Sequence, residues 1–395
     1  MGIHGIIIPY TTKYKEYPFM RTIAEIIGGA QALLPLNYEI QECFEETLTK
    51  EQLSFVHYLR ILMEHANGLD PVKFNNLGRP SKKNACYFKA FLAKSFFRME
   101  TTGDLICRLK SDTNLRLICG FSDKKGLSEA SFSRRGALFA EEKPAETLHE
   151  RVVKVTLNDS IVGDLNRDST AIATREKPVN KKKDAKIKPK KRGRPKKGEK
   201  RTKELTVIEK QAALSAEDGL ALVNSNAAWG GKRNSAGNPS YWKGYKLHID
   251  VTDYGLPVTA IVTGANVHDS QLAIPMEKIS SSRVDYCYSL MDSAYNSPVI
   301  ENVCESLGHV AIIDPKKPKN KKKIPLDPAK AERYKIRTTV ERANSHLKDS
   351  FLAKRIYVRG SPKVTFQLMC GVLCLTAQKI LQYFILPELE KSATA

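Results

Sequence analysis

The sequence predicts an α/β protein, a mixed sheet flanked by helices and preceded by an all-helical domain. Three observations predict it. The chain has 395 residues, 42% of them hydrophobic and 8% aromatic, enough for two or three domains with real cores and too apolar for a wholly disordered chain. Apolar residues recur at helical spacing from Thr49 to about Glu142 and give way to strand-like runs from Ile161. Beyond that switch the order reads strand, basic insertion, strand, strand, helix, strand, helix, strand, helix, helix. Three antiparallel-capable strands followed by strand–helix–strand make a mixed sheet with helices on its faces.

Residues 1–45 carry no clear pattern and stay unassigned. Residues 46–150 read as a helical domain. Leu53, Val56, Leu59, Ile61 and Leu62 mark a first helix and the run from Tyr87 to Phe97 a second. Leu105–Lys110 and Asn114–Cys119 follow, with Gly120 as a stop. Ser128 or Ser131 caps the next helix, which carries an exposed Arg134–Arg135 pair. The segments 112–119 and 128–140 fit either a helix-turn-helix with a long turn or a bundle with a basic face. In the first of these readings Arg134 and Arg135 contact DNA.

Residues 151–390 read as the sheet domain, interrupted by a basic insertion at 175–205. A strand runs from Ile161 to Ile172. Strands resume at Tyr245–Thr252, where Leu247, Ile249 and Val251 face one way and Lys246, His248 and Asp250 the other. Asp253–Gly255 turns the chain and Pro257–Thr263 returns it as a hairpin. Ser270–Ile279 is a helix, Tyr286–Met291 a buried strand, Asn296–Leu307 a helix and Val310–Ile313 another buried strand. Helices at Ala331–Ser350 and Val364–Leu386 close the domain. The last is broken by Gln367, Gln378, Lys379 and Gln382 and reads as a buried helix rather than a membrane span.

The formal charge of +21 points to a polyanionic partner, with DNA first. Between Arg175 and Lys203 stand 16 Lys/Arg against three acids, a run that cannot bury itself. Within it, Arg192-Gly193-Arg194-Pro195 between lysines resembles an AT-hook: two arginines lie along a narrow minor groove and the glycine lets the backbone approach. The alternative is a solvated polycation adding salt-sensitive affinity. No signal-peptide pattern opens the chain, and the eight cysteines hold no C-x-x-C pair, so a reducing cytoplasm at the nucleoid is expected and no membrane partner.

Three acids fall where this layout brings side chains together. Asp168 lies within the first strand, Asp292 ends a buried strand, and Glu341 rides on the penultimate helix. Strand ends are where α/β sheets gather ligands. Converging carboxylates suit Mg²⁺, which keeps several waters and needs few protein ligands; Mn²⁺ can substitute. Two such ions roughly 3.5–4 Å apart activate a water or 3′-hydroxyl and stabilise the leaving oxygen of a phosphodiester. At about 100° per residue, Tyr334, Arg337, Glu341 and Lys348 fall within an arc of roughly 60°. Ile336, Val340, Ala343, Leu347 and Phe351 form a separate apolar seam. The stripe thus offers one acid for metal, two bases for phosphates and a ring for a nucleotide.

Tyr334-x2-Arg337-x3-Glu341-x6-Lys348 resembles, in every spacing, the Tyr-Arg-Glu-Lys signature of DDE transposases from bacterial insertion sequences. Asp168-Ser-Thr-Ala-Ile, Gly244-Tyr-Lys-Leu-His, Ala265-Asn-Val-His-Asp-Ser and Met291-Asp292-Ser-Ala-Tyr resemble further segments of that family. The resemblance covers roughly 160–390 well and 45–145 loosely. It implies an RNase H-like fold and cut-and-paste transposition: two Mg²⁺ ions, hydrolysis at the element's ends, then attack of the 3′-hydroxyl on target DNA. Asp168, Asp292 and Glu341 become the metal ligands, and Tyr334, Arg337 and Lys348 contacts to the end DNA. The partners implied are inverted-repeat and target duplexes and a second copy of the chain in the synaptic complex.

Some alternatives stay open. Asp164 competes for the first position, although the Ser-Thr-Ala-Ile after Asp168 favours the latter. Asp314 reads as a turn acid. His268 and Asp269 either support the site or cap the helix from Ser270. Trp229 and Trp242 read as core residues, with stacking of one of them on DNA as the alternative. A long β-rich insertion, common in the family before the Glu helix, is replaced here by a lysine-rich loop at about 314–330. An inactive architectural or regulatory DNA-binding protein acting through the basic arm is the competing function, and a nuclease that cuts without joining is a third.

Overall fold

The structure, a computed structural model, describes residues 47–66, 83–124, 127–158, 160–176, 204–233, 237–316 and 324–387. The unassigned 1–45 segment and the arm with Arg192, Gly193 and Arg194 lie outside the described residues. Those up to Leu138 and from Thr376 form one compact unit, and Phe139–Leu375 a second. The sequence set the division near 150.

The first unit is built from α1 (Lys50–Met63), α2 (Asn84–Phe96), α3 (Thr102–Ser111), α4 (Thr113–Ile118) and α5 (Glu129–Glu142). Thr49 and Gln52 close a capping box on α1. The same Gln52 amide donates to both oxygens of Asp112, at 3.1 and 3.0 Å, and Asp112 accepts the Leu115 N–H as the cap of α4. Two helix starts are thereby cross-linked. Apolar spacing becomes an aromatic core in which the Phe55 and Phe96 rings lie 5.1 Å apart and Tyr87 and Phe132 5.0 Å apart. Ser128 is the cap of α5, accepting the Ser131 N–H. The expected exposed pair on α5 is not a pair. Arg134 is exposed, but Arg135 is half-buried with its guanidinium 5.6 Å from the Tyr87 ring centre, because an aromatic core near the surface attracts a cation to its face.

The second unit opens with α6 (Pro144–Leu157), which the sequence placed in the helical domain. It belongs here because His149 Nε2 bonds the Pro257 carbonyl at 3.1 Å and Glu150 pairs with Arg283. Burial, then Arg283, hold the His149 imidazole down to about 3, with the Pro257 bond opposing. The folded value lies below the ordinary one near 6.5, so the unfolded chain takes up the proton first. The stability from the neutral ring is full above about pH 6.5 and lost as pH falls, about 2 kcal/mol by pH 5. Urea unfolding should show this slope between pH 7 and 5, and His149→Gln should remove it.

The sheet has six strands: β1 (Ile161–Ala173), β2 (Ala228–Arg233), β3 (Pro239–Thr252), β4 (Pro257–Gly264), β5 (Asp285–Met291) and β6 (Val310–Ile313). Their order is β2-β3-β1-β5-β6, with β4 also on β3. β1, β2 and β4 run antiparallel to β3, whereas β5 runs parallel to β1 and β6 parallel to β5. This is the mixed sheet the sequence predicts. β3 is longer than predicted, and its hairpin with β2 is an addition. His248 and Asp250, placed on a polar face, are fully buried, because helices cover both faces.

One cover is α9 (Ser270–Ser281), packed with α10 (Pro298–Ser306) on an apolar cluster that includes Ala273, Met291, Tyr295, Ile300 and Cys304. Pro275 sits inside α9 and removes an N–H from its ladder. The Gln271 carbonyl, four residues back, is served instead by Gln211 Nε2 at 3.0 Å. Gln211 ends a short helix pair missed by the sequence reading, α7 (Val207–Ala212) and α8 (Ala216–Ala221). The Lys278 ammonium closes α7, donating to the carbonyls of Gln211, Ala212 and Leu214. After β6, no strand occurs before α11 (Pro328–Tyr334) among the described residues. A 3₁₀ turn at Lys335–Arg337, α12 (Thr338–His346) and a π-helical turn at Leu347–Phe351 continue it. α13 (Ser361–Ile380) is apolar and long enough to cross a membrane, but 72% of its most apolar window is buried in the protein, as in a core helix.

Candidate active site

Side chains alternate across a strand, so Arg167 and Asp168 leave β1 on opposite faces. Arg167 meets α9: its Nη1 donates to the Ala273 carbonyl at 2.8 Å. Asp168 meets α12, where Asn344 Nδ2 donates to its Oδ2 at 3.1 Å. The parallel pairing of β1 with β5 includes Asn166 beside Leu290. Carried two residues further, that register sets Asp168 beside Asp292. Asp292 also accepts the Ala294 N–H at 2.9 Å and so caps the 3₁₀ turn Ser293–Tyr295.

The electrostatics agree with this adjacency. Burial pushes the Asp168 carboxyl up to about 6; Arg337 opposes, and Asp292 and Asp269 add to the rise. Asp292 is raised too, first by burial, with Asp269 and Asp314 contributing and Arg337 opposing. Asp314, read from sequence as a turn acid, donates its N–H to the Met291 carbonyl at 3.2 Å and so stands next to Asp292.

Arg337 is the hub. Its side chain is 13% exposed, and it reaches Asp168 Oδ1 at 3.4 Å and Glu341 Oε1 at 2.7 Å. One guanidinium therefore spans two of the three predicted acids. Glu341 is 57% exposed and turned toward Arg337. Tyr334 is half-buried, its hydroxyl pushed up to about 12 by burial, with Arg337 opposing and Asp314, Asp292 and Glu341 contributing. Burial lowers the Lys348 ammonium, and Lys232 lowers it further, while Asp168 pulls it back up. Arg337 thus shares Asp292 and Glu341 with Tyr334 and Asp168 with Lys348, although the helix changes pitch at both ends of α12. Val340, Ala343, Leu347 and Phe351 of the apolar seam are buried.

Asp164 stands apart. Both its oxygens accept from Arg333 Nη1 at 3.0 Å, and that guanidinium lies 3.9 Å from the Tyr288 ring centre. Four strand residues, about 13 Å, separate Asp164 from Asp168. Asp269 makes no side-chain cap to α9; it pairs with Lys246 at 2.9 Å and lies 3.9 Å from His248 Nδ1. His268 Nδ1 is the cap, accepting the Ser270 N–H at 3.3 Å. Trp229 and Trp242 are not core residues: Trp229 is exposed and Trp242 half-buried on the β2–β3 hairpin.

Asn344, Lys232 and the buried partners of Arg167 were missed from sequence, and Asp314 was weighed there only as a turn acid. Among the missed residues only Asn344 carried a signal. It lies two helical turns past Arg337 on the same stripe.

Among the described residues, no three of His, Cys, Asp and Glu form a ready-made metal cluster, because Glu341 is engaged by Arg337. The donor chemistry nevertheless fits a hard divalent cation. Asp168 and Asp292 are neighbouring carboxylates, and the buried Tyr295 hydroxyl has no hydrogen-bond partner while it senses Asp269, Asp168 and Asp292.

The strand order, the mixed pairing and the acids on neighbouring strands are consistent with the RNase H-like transposase class of fold. A family model described as the transposase DDE domain matches residues 167–377, more than half of the chain. The chain belongs to that family, in which divalent metals are generally used. No curated protein and no solved structure matches it.

Proposed function

We propose that this protein binds the ends of an insertion sequence, cleaves DNA there and joins the freed 3′-end to target DNA. The observation that supports this best is the neighbouring position of Asp168 and Asp292, with Glu341 tied to the same place through Arg337, inside a transposase DDE domain. Asp168, Asp292 and Glu341 would hold two Mg²⁺ ions, with Mn²⁺ a workable substitute. When bound, such ions lower the pKa of water and neutralise charge at the scissile phosphodiester.

The chain's own residues do the rest. Asn344 fixes one Asp168 oxygen and leaves the other directed at Arg337. Arg337 is the cation that holds the acids together, and it can turn to a phosphate once their charge is otherwise balanced. Lys348, half-buried beside Lys232, offers a second phosphate contact. Tyr334 presents a ring at the edge of the acids. Arg134 and Arg135 would contact duplex in the helical unit, and Arg192, Gly193 and Arg194 the A·T minor groove. Two inverted repeats must be held together for joining, which calls for a homodimer on DNA, acting at the nucleoid.

The test uses the full chain and duplex DNA carrying the inverted repeats that flank its reading frame. Nicking at the repeat ends and joining to a target plasmid, both requiring Mg²⁺, are expected. Nicking without joining would establish the plain nuclease. DNA binding that disappears on deleting residues 177–203, with no nicking by the intact chain, would establish the architectural protein.

A further inference from the structure

Of the aromatic side chains among the second unit's described residues, only Trp229 and Tyr241 are exposed, at 62% and 74%. Both belong to the β2–β3 hairpin, where Trp229 pairs with Lys243 and Gly231 with Tyr241. Glycines make room for two rings of the hairpin. A Cβ on Gly231 would lie 2.9 Å from the exposed Tyr241 ring, and one on Gly230 would lie 2.6 Å from the half-buried Trp242 ring. Trp242 is fixed further by its indole N–H, which donates to the Tyr245 carbonyl at 3.0 Å.

The hairpin is also cationic. The Lys243 ammonium lies 6.0 Å from the Trp229 ring centre and shares the face of both exposed rings, whereas Lys232 is exposed on the opposite face. An exposed Tyr241 ring seated on Gly231 and an exposed Trp229 ring beside a lysine combine the two features that bind single-stranded nucleic acid: π-faces for bases and a cation for the backbone. A protein partner would be served by the rings alone, whereas unpaired nucleotides are served by the rings and the cation together.

We propose that the β2–β3 hairpin is a stacking platform for unpaired DNA. Trp229 and Tyr241 take bases, and Lys243, on the same face, takes a flanking phosphate. The inference rests on the transposase reading for its biological setting but not for its readout. Stacking tolerates any base, so the platform holds strands opened at the cut without adding sequence preference.

The experiment measures binding of a labelled 20-nucleotide dT oligonucleotide and of a blunt duplex to the full chain, in EDTA and at fixed salt. EDTA separates the outcome from any failure of cleavage. Trp229→Ala/Tyr241→Ala should weaken dT binding by about 10- to 100-fold, from the known worth of base–aromatic stacking. Duplex binding should change less than about threefold. Trp229→Phe/Tyr241→Phe keeps both π-faces and should restore most of the dT affinity; a double-Ala chain that misfolds would lose both ligands together, and the Phe pair then decides. Unchanged dT binding in the Ala pair, or weak dT binding in a folded Phe pair, overturns the platform. So does a change of oligomeric state with unchanged DNA affinity, which would make the rings an interface between copies.

Discussion

Asp292→Asn is expected to slow metal-dependent nicking of end DNA by on the order of 10³-fold or more, with the fold unchanged. The substituted amide retains a carbonyl oxygen that can accept the Ala294 N–H, so the 3₁₀ turn after β5 keeps its cap. What is lost is one of two neighbouring charges. The stabilisation a divalent ion gives to a phosphodiester transition state is several kcal/mol, and each 1.36 kcal/mol is tenfold in rate. Glu341→Gln should behave differently in one respect. It also removes the negative charge that Arg337 meets at 2.7 Å, leaving a neutral acceptor in its place, so that cation turns more toward Asp168 and the loss of rate should come with a weaker dependence on metal concentration at low metal. Nicking rates across a Mg²⁺ titration check both, with melting curves as the control for folding. An unaffected rate for Asp292→Asn would remove the basis of the proposed activity.

Arg167→Met is expected to destabilise the second unit by about 3–5 kcal/mol, the usual cost of stripping one partner from a buried ion network. Arg167 is wholly buried and binds Asp250 through two bonds, at 2.7 and 2.8 Å, and Glu277 at 3.0 Å. Neither acid forms an ion pair with a second cation among the described residues. Ser280 donates to Asp250, and Tyr286 and Ser289 donate to Glu277. Removing the guanidinium leaves two carboxylates in a dry interior with hydroxyl donors alone. The network joins β1, β3, β5 and α9, and its arginine is the residue before Asp168. The melting temperature should fall by on the order of 10 °C for a domain of this size. Replacing Arg167, Asp250 and Glu277 together by apolar residues of similar volume should recover much of the loss. A melting curve for Arg167→Met that overlays the parent would contradict this account.

Much of the sheet was legible in the sequence, because periodicity reports which face of a strand is apolar. Ile161–Ile172, Tyr245–Thr252 and Val310–Ile313 were found in this way, as was the helical stripe. Periodicity fails where polar residues are buried in pairs. Asp250 and His248 look like a solvated face until Arg167 and Thr263 are known to meet them, and Arg167 lies 83 residues from Asp250 in the chain. The hairpin strand β2 has no apolar alternation to reveal it: at Gly230 and Gly231 each glycine makes room for a ring on the facing strand. Trp229 was placed in the core, yet it is exposed. The adjacency of Asp168 and Asp292 depended on a strand register that no local pattern encodes.

The two aspartates and the glutamate are mounted on unlike supports. Asp168 lies on β1 and Asp292 directly follows β5, its parallel neighbour, so their spacing is inherited from the sheet and resists gradual drift. Glu341 travels on a helix wound tight before it and loose after it, at 335–337 and 347–351. Substitutions at those two joints can reset the reach of the glutamate while the sheet stays as it is. Descendants of this sequence can therefore vary the geometry of one carboxylate without rebuilding the floor on which the other two stand.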